Sequence, residues 1–564
     1  MDGPRVADAL EALRASVADV RFGLAMADVE RARRSQSELV GQVDDYLLPR
    51  LRQLDAPMLV AVGGSTGAGK STLVNTLVGA EVSRAGWLRP TTRSPVLVCN
   101  PGDVGWFETA RILPGLSRTT GETDSPGTLR LVPNDAVAPG LALLDPPDID
   151  SVVAENRDLA AQLLAAADLW IFVTTAARYA DAVPWDLLHT AAQRSTALAV
   201  VLNRVPPEGV DEIGGHLASM LAEEHLGDAA LFPIPEVDLA SERIPAREIA
   251  PLRQWLDGLA ADAEARDAVI RSTLTGALNS VHDRVLDLSS HLSEQLTTAG
   301  DLREQATERY RTALRTVDEG VRSGTVLRGE VLARWQEFVG TGQFTRNLEA
   351  RIGALRDRVT AFFTGRTPTV DAVGHAVESN LHALIRAAAD RAAEETAALW
   401  RGRPAGRSLV FSDRASSGFG ERLEAEIRAW QGRVLELVRE EGGHRRSVAR
   451  LTSFGVNGAG LVLMLAVFAQ TGGLSGLEVV VAGGTSAVSQ KVLEAIFGDT
   501  AVRTLAARAR DDLLDSVEEL LESERERFIS AVDAVAPTEE QAAALRNALA
   551  AFDGANVRSP GLVR

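Results

Sequence analysis

The chain has 564 residues, too many for one hydrophobic core, so roughly two to four domains are expected. Hydrophobic residues make up 45% and charged residues 24%, a balance that excludes pervasive disorder. The net charge of −18 opposes non-specific attraction to nucleic acid, and we expect no DNA or RNA partner. The single cysteine, Cys99, excludes a disulfide framework. The first residues lack an apolar signal core and the composition favours a GC-rich bacterial genome, so we expect a cytosolic bacterial protein.

The first predicted elements are helical. Apolar residues at helical spacing between Val6 and Leu51 predict one or two amphipathic helices. We assign residues 1–55 as an N-terminal helical neck segment.

Residues 56–250 have a different texture, in which short β-rich runs alternate with turns and helical segments. This alternation predicts an α/β domain with a mostly parallel sheet and helices on both faces. Cys99 lies in one of the runs and is predicted to be a buried strand residue. The runs are Met58 to Val62, Val96 to Cys99, Leu129 to Val132, Leu141 to Leu144, Leu169 to Thr174, Leu198 to Leu202 and Leu231 to Ile234.

A glycine-rich turn follows the first run. The P-loop pattern G-x-x-x-x-G-K-S is matched by Gly64, Gly69, Lys70 and Ser71. Successive backbone N–H groups and the next helix would face phosphate oxygens, Lys70 would reach the β- and γ-phosphates, and Ser71 would bind Mg²⁺. Lys70 and Lys491 are the only lysines, so a lysine here indicates a chemical requirement. The predicted phosphate-binding residues are Gly64, Ser65, Thr66, Gly67, Ala68, Gly69, Lys70, Ser71 and Thr72.

Two further positions are candidates for the metal site. Thr91 or Thr92, in a turn-rich loop before a predicted strand, could supply a hydroxyl that contacts Mg²⁺ when the γ-phosphate is present; an ordinary exposed loop is the alternative. Asp145 ends an apolar run, as does the carboxylate that holds Mg²⁺ in P-loop proteins. The predicted metal ligands are Ser71, Thr91, Thr92 and Asp145.

Base recognition is predicted after the run that ends at Leu202. Asn203 and Arg204 stand where GTPases have the first residues of an N-K-x-D motif, whereas Pro206 replaces its aspartate. A plain strand-to-loop turn would also explain Asn203. The residues therefore favour a triphosphate more strongly than they favour GTP over ATP.

Beyond residue 250 the strand signals stop. Residues 251–450 have long, charged, heptad-like patterns that predict an extended helical bundle, or stalk, with coiled-coil character. Residues 451–497 predict an apolar hairpin, and residues 498–564 a C-terminal helix that returns to the bundle.

The apolar hairpin has two interpretations. The stretch from Leu451 to Leu477 contains no charged residue, and about 20 apolar residues are needed to span a bilayer as a helix. Positive charge precedes it, as at a cytoplasmic membrane boundary, at Arg445, Arg446 and Arg450. Insertion into a membrane and burial within the bundle or at a dimer interface both remain open.

The chain resembles a GTPase domain of the translation-factor-related superclass. The resemblance rests on the P-loop, Thr91-Thr92-Arg93, Asp145 and Asn203-Arg204. The whole layout resembles the bacterial dynamin-like proteins, which have a helix before the GTPase head, a helical stalk, an apolar membrane element and a closing helix. The resemblance implies a GTPase that uses Mg²⁺, with GTP as substrate and ATP not excluded, and Lys70, Thr92 and Asp145 as catalytic residues.

The resemblance also implies partners and a place in the cell. Members of this family bind lipid membranes and dimerise or oligomerise through their heads, some with a second dynamin-like partner, to remodel bilayers. It implies a location at the cytoplasmic face of the cell membrane. Dynamins carry glutamine and serine where this chain has Thr66 and Gly67, so slow hydrolysis is expected, or hydrolysis completed in trans by Arg89 or Arg93.

Two other functions stay open. One is a soluble Era-like regulatory GTPase that binds RNA or the ribosome, which the acidic charge disfavours. The other is a nucleotide-binding scaffold with little hydrolysis.

Overall fold

The structure is a computed structural model, and it describes residues 3–64, 67–83, 94–109, 111–123, 125, 127–147, 154–181, 185, 188–189, 191, 196–237, 243–324, 326, 368–443, 463–464, 467–468 and 499–557. The chain divides into two compact units. The first comprises Met1–Phe22, Asp28–Glu294 and Pro537–Arg564, and the second comprises Gly23–Ala27 and Gln295–Ala536.

The first unit contains a sheet that, within the described residues, has eight strands in the order β3-β4-β2-β5-β1-β6-β7-β8. All neighbouring strands are parallel except β2 and β5, which are antiparallel. The predicted mostly parallel sheet is therefore confirmed. The strands are β1 (Met58–Gly64), β2 (Val96–Cys99), β3 (Ser117–Thr119), β4 (Thr128–Pro133), β5 (Leu141–Asp145), β6 (Leu169–Thr175), β7 (Ala197–Val205) and β8 (Ala230–Pro235).

The central strand β1 is buried on both faces. Its residues alternate between two hydrophobic cores, with Met58, Val60 and Val62 on one side and Leu59 and Ala61 on the other. Successive side chains of a strand point to opposite faces, and a parallel sheet is covered by helices on both. An uninterrupted apolar run is therefore what such a strand requires.

Cys99 is fully buried in β2, as predicted. Burial, with a smaller contribution from the nearby carboxylate of Asp103, raises the pKa of its thiol to about 11. The thiol is therefore protonated and unreactive at neutral pH.

Helices cover the sheet and form the second unit, and the large predicted helical region after residue 250 is confirmed. They are α1 (Gly3–Asp19), α2 (Val29–Gln42), α3 (Leu48–Arg52), α4 (Lys70–Val78), α5 (Val104–Phe107), α6 (Ala154–Ala165), α7 (Val210–Glu223), α8 (Ala246–Ala261), α9 (Ala263–Arg322), α10 (Pro368–Arg401), α11 (Pro404–Arg407), α12 (Phe419–Gly443), α13 (Asp499–Asp533) and α14 (Glu539–Val557).

The two ends of the described chain meet in the first unit. Helix α14 packs along α1. The side-chain amide of Gln541 donates a hydrogen bond of 2.5 Å to the carbonyl of Asp19, where α1 ends. The N-terminal and C-terminal helices thus form one helical layer of this unit.

A buried ion pair joins helix and sheet at the amino end of β1. Arg50, in α3, pairs with Asp168, just before β6, and donates to the carbonyl of Ala56 at 2.9 Å. Asp168 in turn accepts the N–H of Leu59 at 2.8 Å, and its own carbonyl accepts the hydroxyl of Thr273, in α9, at 2.9 Å. The bonds from Arg50 and Leu59 offset part of the cost of burying the carboxylate of Asp168, and the whole network ties α3 and α9 to the sheet.

The second unit is a helical bundle around one apolar core, in which Trp400, Trp430 and Phe528 are fully buried. Four residues of the predicted apolar hairpin are described, and all four are buried in this core: Leu463, Met464, Val467 and Phe468. The ring of Phe468 lies 6.2 Å from that of Trp430.

The rest of the predicted hairpin, residues 451–497, lies outside the described residues. Within the part of the chain that the structure describes, no helix combines the length and the apolar character needed to cross a lipid bilayer. The predicted hairpin is thus represented only by its four buried residues.

Candidate nucleotide-binding site

The candidate site lies at the carboxyl edge of the sheet. Strands β5, β1, β6 and β7 are consecutive parallel neighbours, so the residues that follow them emerge along one edge. Ligands of open α/β sheets bind outside the carboxyl ends of the strands. The P-loop, Asp145 and Asn203 are all at this edge.

The glycines of the P-loop are required by backbone conformation and by space. Gly64, Gly67 and Gly69 have φ angles of 141°, 77° and 98°, which residues other than glycine rarely adopt. A Cβ on Gly64 would lie 2.0 Å from the carbonyl oxygen of Val173 in β6. Gly64 therefore has no room for a side chain, and the φ angles of Gly67 and Gly69 favour glycine at these positions.

Lys70 begins α4, with Gly69 at the N-cap. Its side chain is only 5% exposed, and its Nζ donates to the carbonyl of Gly64 at 3.0 Å. The ammonium is thus held inside the turn, beside the positive end of the helix. This arrangement favours an anion at the mouth of the turn.

The two predicted metal ligands of the described chain meet. The hydroxyl of Ser71 donates to Oδ2 of Asp145 at 2.8 Å, and Asp145 is completely buried at the end of β5. A hydroxyl and a carboxylate are the hard oxygen donors that Mg²⁺ prefers. The pair therefore fits a Mg²⁺ ion that is also held by phosphate oxygens.

Asn203 contacts the P-loop. Its Nδ2 donates to the carbonyl of Ala68 at 2.8 Å, and a Cβ on Gly69 would lie 2.6 Å from the same nitrogen. Its Oδ1 accepts the backbone N–H of Arg204 at 2.9 Å. The amide of Asn203 therefore supports the phosphate-binding turn from the end of β7, two strands away from β1.

Arg204 is exposed and has a φ angle of 53°, and the pairing of β7 with β8 is irregular between Leu202 and Val205. A bulge of this kind re-aims a side chain at the edge of a sheet. The strand continues to Val205, three residues beyond the predicted run. Pro206 follows directly, at the position where an N-K-x-D motif has its aspartate.

The remaining predicted site residues divide into two groups. Gly67 and Ala68 lie in the P-loop and Thr72 in the first turn of α4, and their contact with a nucleotide stays a prediction. The others lie outside the described residues, and their roles stay predictions: Ser65, Thr66, Thr91 and Thr92.

Two residues at this site were not predicted. The hydroxyl of Ser83 donates to Oδ2 of Asp145 at 2.5 Å, and Asn75, in α4, binds the backbone of Ser83. Asn75 could have been noticed because it is an amide residue one helical turn after Ser71, on the same face of the predicted helix. Ser83 carries no such signal. Among the described residues, no cluster of three or more His, Cys, Asp or Glu side chains could hold a metal ion.

No protein-family model matches the chain, and no curated protein matches it. Solved structures do. One member of an oligomerised bacterial dynamin pair, described as sensing and tethering membranes over a long range, aligns with 94% of this chain and 96% of its own, at 11% identity and a TM-score of 0.41. LeoA, a bacterial dynamin GTPase from ETEC, aligns with 100% of this chain and 98% of its own, at 12% identity and a TM-score of 0.23.

Era from Aquifex aeolicus, bound to GDP and AlF4−, aligns with 35% of this chain and 56% of its own, at 18% identity and a TM-score of 0.24. The structural neighbours of this chain thus include bacterial dynamin-like GTPases, the family that its sequence resembles.

Proposed function

We propose that the protein binds a nucleoside triphosphate, GTP, with Mg²⁺ at the carboxyl edge of its sheet, and hydrolyses it slowly. One observation carries the proposal. A turn built on three glycines with positive φ angles holds the ammonium of Lys70 beside the converging oxygens of Ser71 and Asp145. Positive charge, backbone N–H groups and a metal-binding oxygen pair are the parts that bind a triphosphate.

Each part has a chemical task. Lys70 is to neutralise charge on the β- and γ-phosphates, while the turn and the first residues of α4 donate backbone hydrogen bonds to their oxygens. A Mg²⁺ ion held by Ser71 and Asp145 would supply further positive charge to the transferring phosphoryl group. Hydrolysis is slow in this proposal because Gly67 has no side chain with which to position the attacking water.

Nucleotide binding by purified protein tests this proposal. Fluorescent GTP, GDP and ATP analogues are titrated with Mg²⁺ against the unmodified chain, Lys70→Ala and Lys70→Arg. Both variants are expected to lose about 10- to 100-fold in affinity, because a hydrogen bond to a charged group is lost and a guanidinium does not fit the turn.

The matched control is Arg52→Ala, which removes one positive charge from a side chain that is 53% exposed. Its affinity should equal that of the unmodified chain. Equal binding by Lys70→Ala would refute the phosphate site. Tighter binding of ATP than of GTP would refute the guanine preference alone.

We further propose a dynamin-like role, in which dimerisation of the first units through their GTPase domains is coupled to remodelling of a lipid membrane at its cytoplasmic face. Three features support it: a GTPase-like sheet and a long helical bundle in one chain, the uncharged stretch from Leu451 to Leu477, and the arginines that precede it. Because Leu463, Val467 and Phe468 are buried in the bundle, insertion of this stretch requires them to leave that core.

Liposome flotation with GTP, GDP and ATP tests the membrane role, with Lys70→Ala and a deletion of residues 451–491 run alongside. Flotation that depends on GTP and is lost in both variants supports it. An intact chain that stays off lipid with every nucleotide refutes it, and leaves a soluble Era-like GTPase or a nucleotide-binding scaffold. Analytical ultracentrifugation with a non-hydrolysable GTP analogue separately tests dimerisation.

A further inference from the structure

The carboxylate of Asp145 has a second hydroxyl partner, Ser83, which lies outside the P-loop pattern and the other predicted site residues. Oδ2 accepts a hydrogen bond from Ser83 at 2.5 Å and another from Ser71 at 2.8 Å. Ser83 is 2% exposed, so its hydroxyl has little access to water. A buried hydroxyl stays where its hydrogen bond is made, because leaving it unpaired is costly.

The backbone around Ser83 is held in place by α4. The side-chain amide of Asn75 accepts the N–H groups of Val82 and Ser83, each at 2.9 Å, and donates to the carbonyl of Ser83 at 2.7 Å. Arg130, in β4, donates to the carbonyl of Val82 at 3.2 Å. Three bonds from one side chain leave this turn little freedom to move away from Asp145.

Helix α4 contributes to both hydrogen bonds that Asp145 accepts. Ser71 lies in its first turn, and Asn75 lies one turn later on the same face. Helix α4 therefore places one hydroxyl on Asp145 directly and the second through the turn at Ser83. The two donors approach the carboxylate from separate chain segments, which limits its rotation about the end of β5.

We propose that Ser83 is a positioning residue for the metal site: it holds the carboxylate of Asp145 toward Ser71 so that the pair can receive the Mg²⁺ of a bound nucleotide. This inference rests on the proposed function. Groups that orient metal ligands contribute to metal affinity without touching the ion, and their removal typically lowers it by about 10-fold or more.

The experiment measures the Mg²⁺ concentration at which retention of a fluorescent GDP analogue is half-maximal. Ser83→Ala is expected to raise this concentration by about 10-fold. Its affinity for the analogue in EDTA should remain that of the unmodified chain, while its thermal midpoint in EDTA should fall slightly because the buried carboxylate of Asp145 loses a donor. A purely structural role would lower the affinity in EDTA and leave the Mg²⁺ dependence alone.

The matched control is Ser94→Ala, since Ser94 is also a buried serine of this unit but donates to the carbonyl of Ser125. Its Mg²⁺ dependence should be unchanged. If Ser83→Ala lacks a folded transition, Ser83→Cys keeps nearly the same volume with a weak donor and is read in the same way.

The experiment distinguishes a failure of the proposed function from a failure of the inference about Ser83. An unmodified chain that retains no nucleotide at any Mg²⁺ concentration overturns the proposed function, and this inference with it. An unmodified chain that responds to Mg²⁺, with a Ser83 variant that responds identically, overturns the inference alone.

Discussion

The carboxamide of Asn203 donates to the carbonyl of Ala68 at 2.8 Å, so the end of β7 is hydrogen-bonded to the P-loop that follows β1. The two strands are not neighbours in the sheet, because β6 lies between them. A residue considered for its contact with a nucleotide base therefore supports the turn that would bind the phosphates. Its contribution is expected to be independent of the base.

Replacing Asn203 by aspartate tests this role. Asn203→Asp keeps the shape of the side chain but replaces its N–H donor with an oxygen that faces the carbonyl of Ala68. We expect affinities for GTP and ATP to fall together, by about 10-fold, because a buried donor is lost. Isothermal titration calorimetry measures both. The control is Asn134→Asp, which keeps the oxygen that accepts the N–H of Ala136. A loss confined to guanine nucleotides would contradict this role.

The P-loop glycines can be compared with a glycine elsewhere in the same unit. Gly69 and Gly79 flank α4 with φ angles of 98° and 69°. A Cβ on Gly69 would also lie 2.6 Å from Nδ2 of Asn203, whereas nothing lies within 4 Å of one on Gly79. We expect Gly69→Ala to abolish nucleotide binding. Gly79→Ala should only lower the free energy of unfolding by about 1 kcal/mol. Nucleotide titration and urea unfolding separate the two effects, and normal binding by Gly69→Ala would show that the turn tolerates a shift.

Glu524 predicts an acid-sensitive second unit. Its side chain is fully buried and accepts the N–H of Ser416 at 2.8 Å and Nη2 of Arg422 at 2.6 Å. Burial alone would raise the pKa of Glu524, but the hydrogen bonds from Ser416 and Arg527 outweigh it, and the pKa lies below its ordinary value. A lowered pKa in the folded state contributes stability above the ordinary carboxyl pKa. That stability is lost as the pH falls through the folded value.

Glu524→Gln should therefore lower the free energy of unfolding by roughly 2 kcal/mol at neutral pH, because the charged hydrogen bonds from Arg422 and Arg527 are lost while both guanidiniums stay partly exposed to water. The stability of the variant should also depend less on pH in the acid range. Hydrogen–deuterium exchange of α12 and α13 at several pH values localises the effect. Glu526→Gln, on an exposed position nearby, is the control. An unchanged acid limb would show that Glu524 does not set the pH dependence.

A substitution of Phe468 tests whether the described part of the predicted hairpin stabilises the core of the second unit. Its side chain is 1% exposed beside Trp430. Phe468→Ala should lower the free energy of unfolding of the second unit by about 3 to 5 kcal/mol, the range for a large buried ring. Leu399→Ala, at a position that is 43% exposed, should have a much smaller effect. Exchange rates of α12 report the change, and equal effects of the two variants would mean that the ring of Phe468 does not stabilise the core.

The sequence could predict the elements whose residues follow one local pattern, such as an unbroken apolar run. Strands such as β1 and β6 are buried on both faces, so their apolar runs are unbroken and easily recognised. Strand β3 (Ser117–Thr119) was missed because its three residues are polar and none is fully buried. The last residues of β7 were missed because Asn203 and Arg204 are polar, although pairing with β6 and β8 extends the strand to them.

The site divides in the same way. Spacing alone could identify Lys70 and Ser71, because phosphate binding constrains consecutive residues of one turn. The contact of Ser83 with Asp145 joins residues from separate segments through the side chain of Asn75, and no local pattern records it. The packing of α14 on α1 is likewise tertiary, since it joins the first and last helices described.

The position of Lys70 has a consequence for the chemistry of the whole protein. It is one of two lysines in the sequence, and among the described residues it is the only one, with its nitrogen covered by the turn. Within the described residues, reagents that acylate amines therefore find no exposed lysine side chain. A single lysine introduced on a described surface would compete for a dye or a cross-linker mainly with Lys491, the other lysine of the sequence.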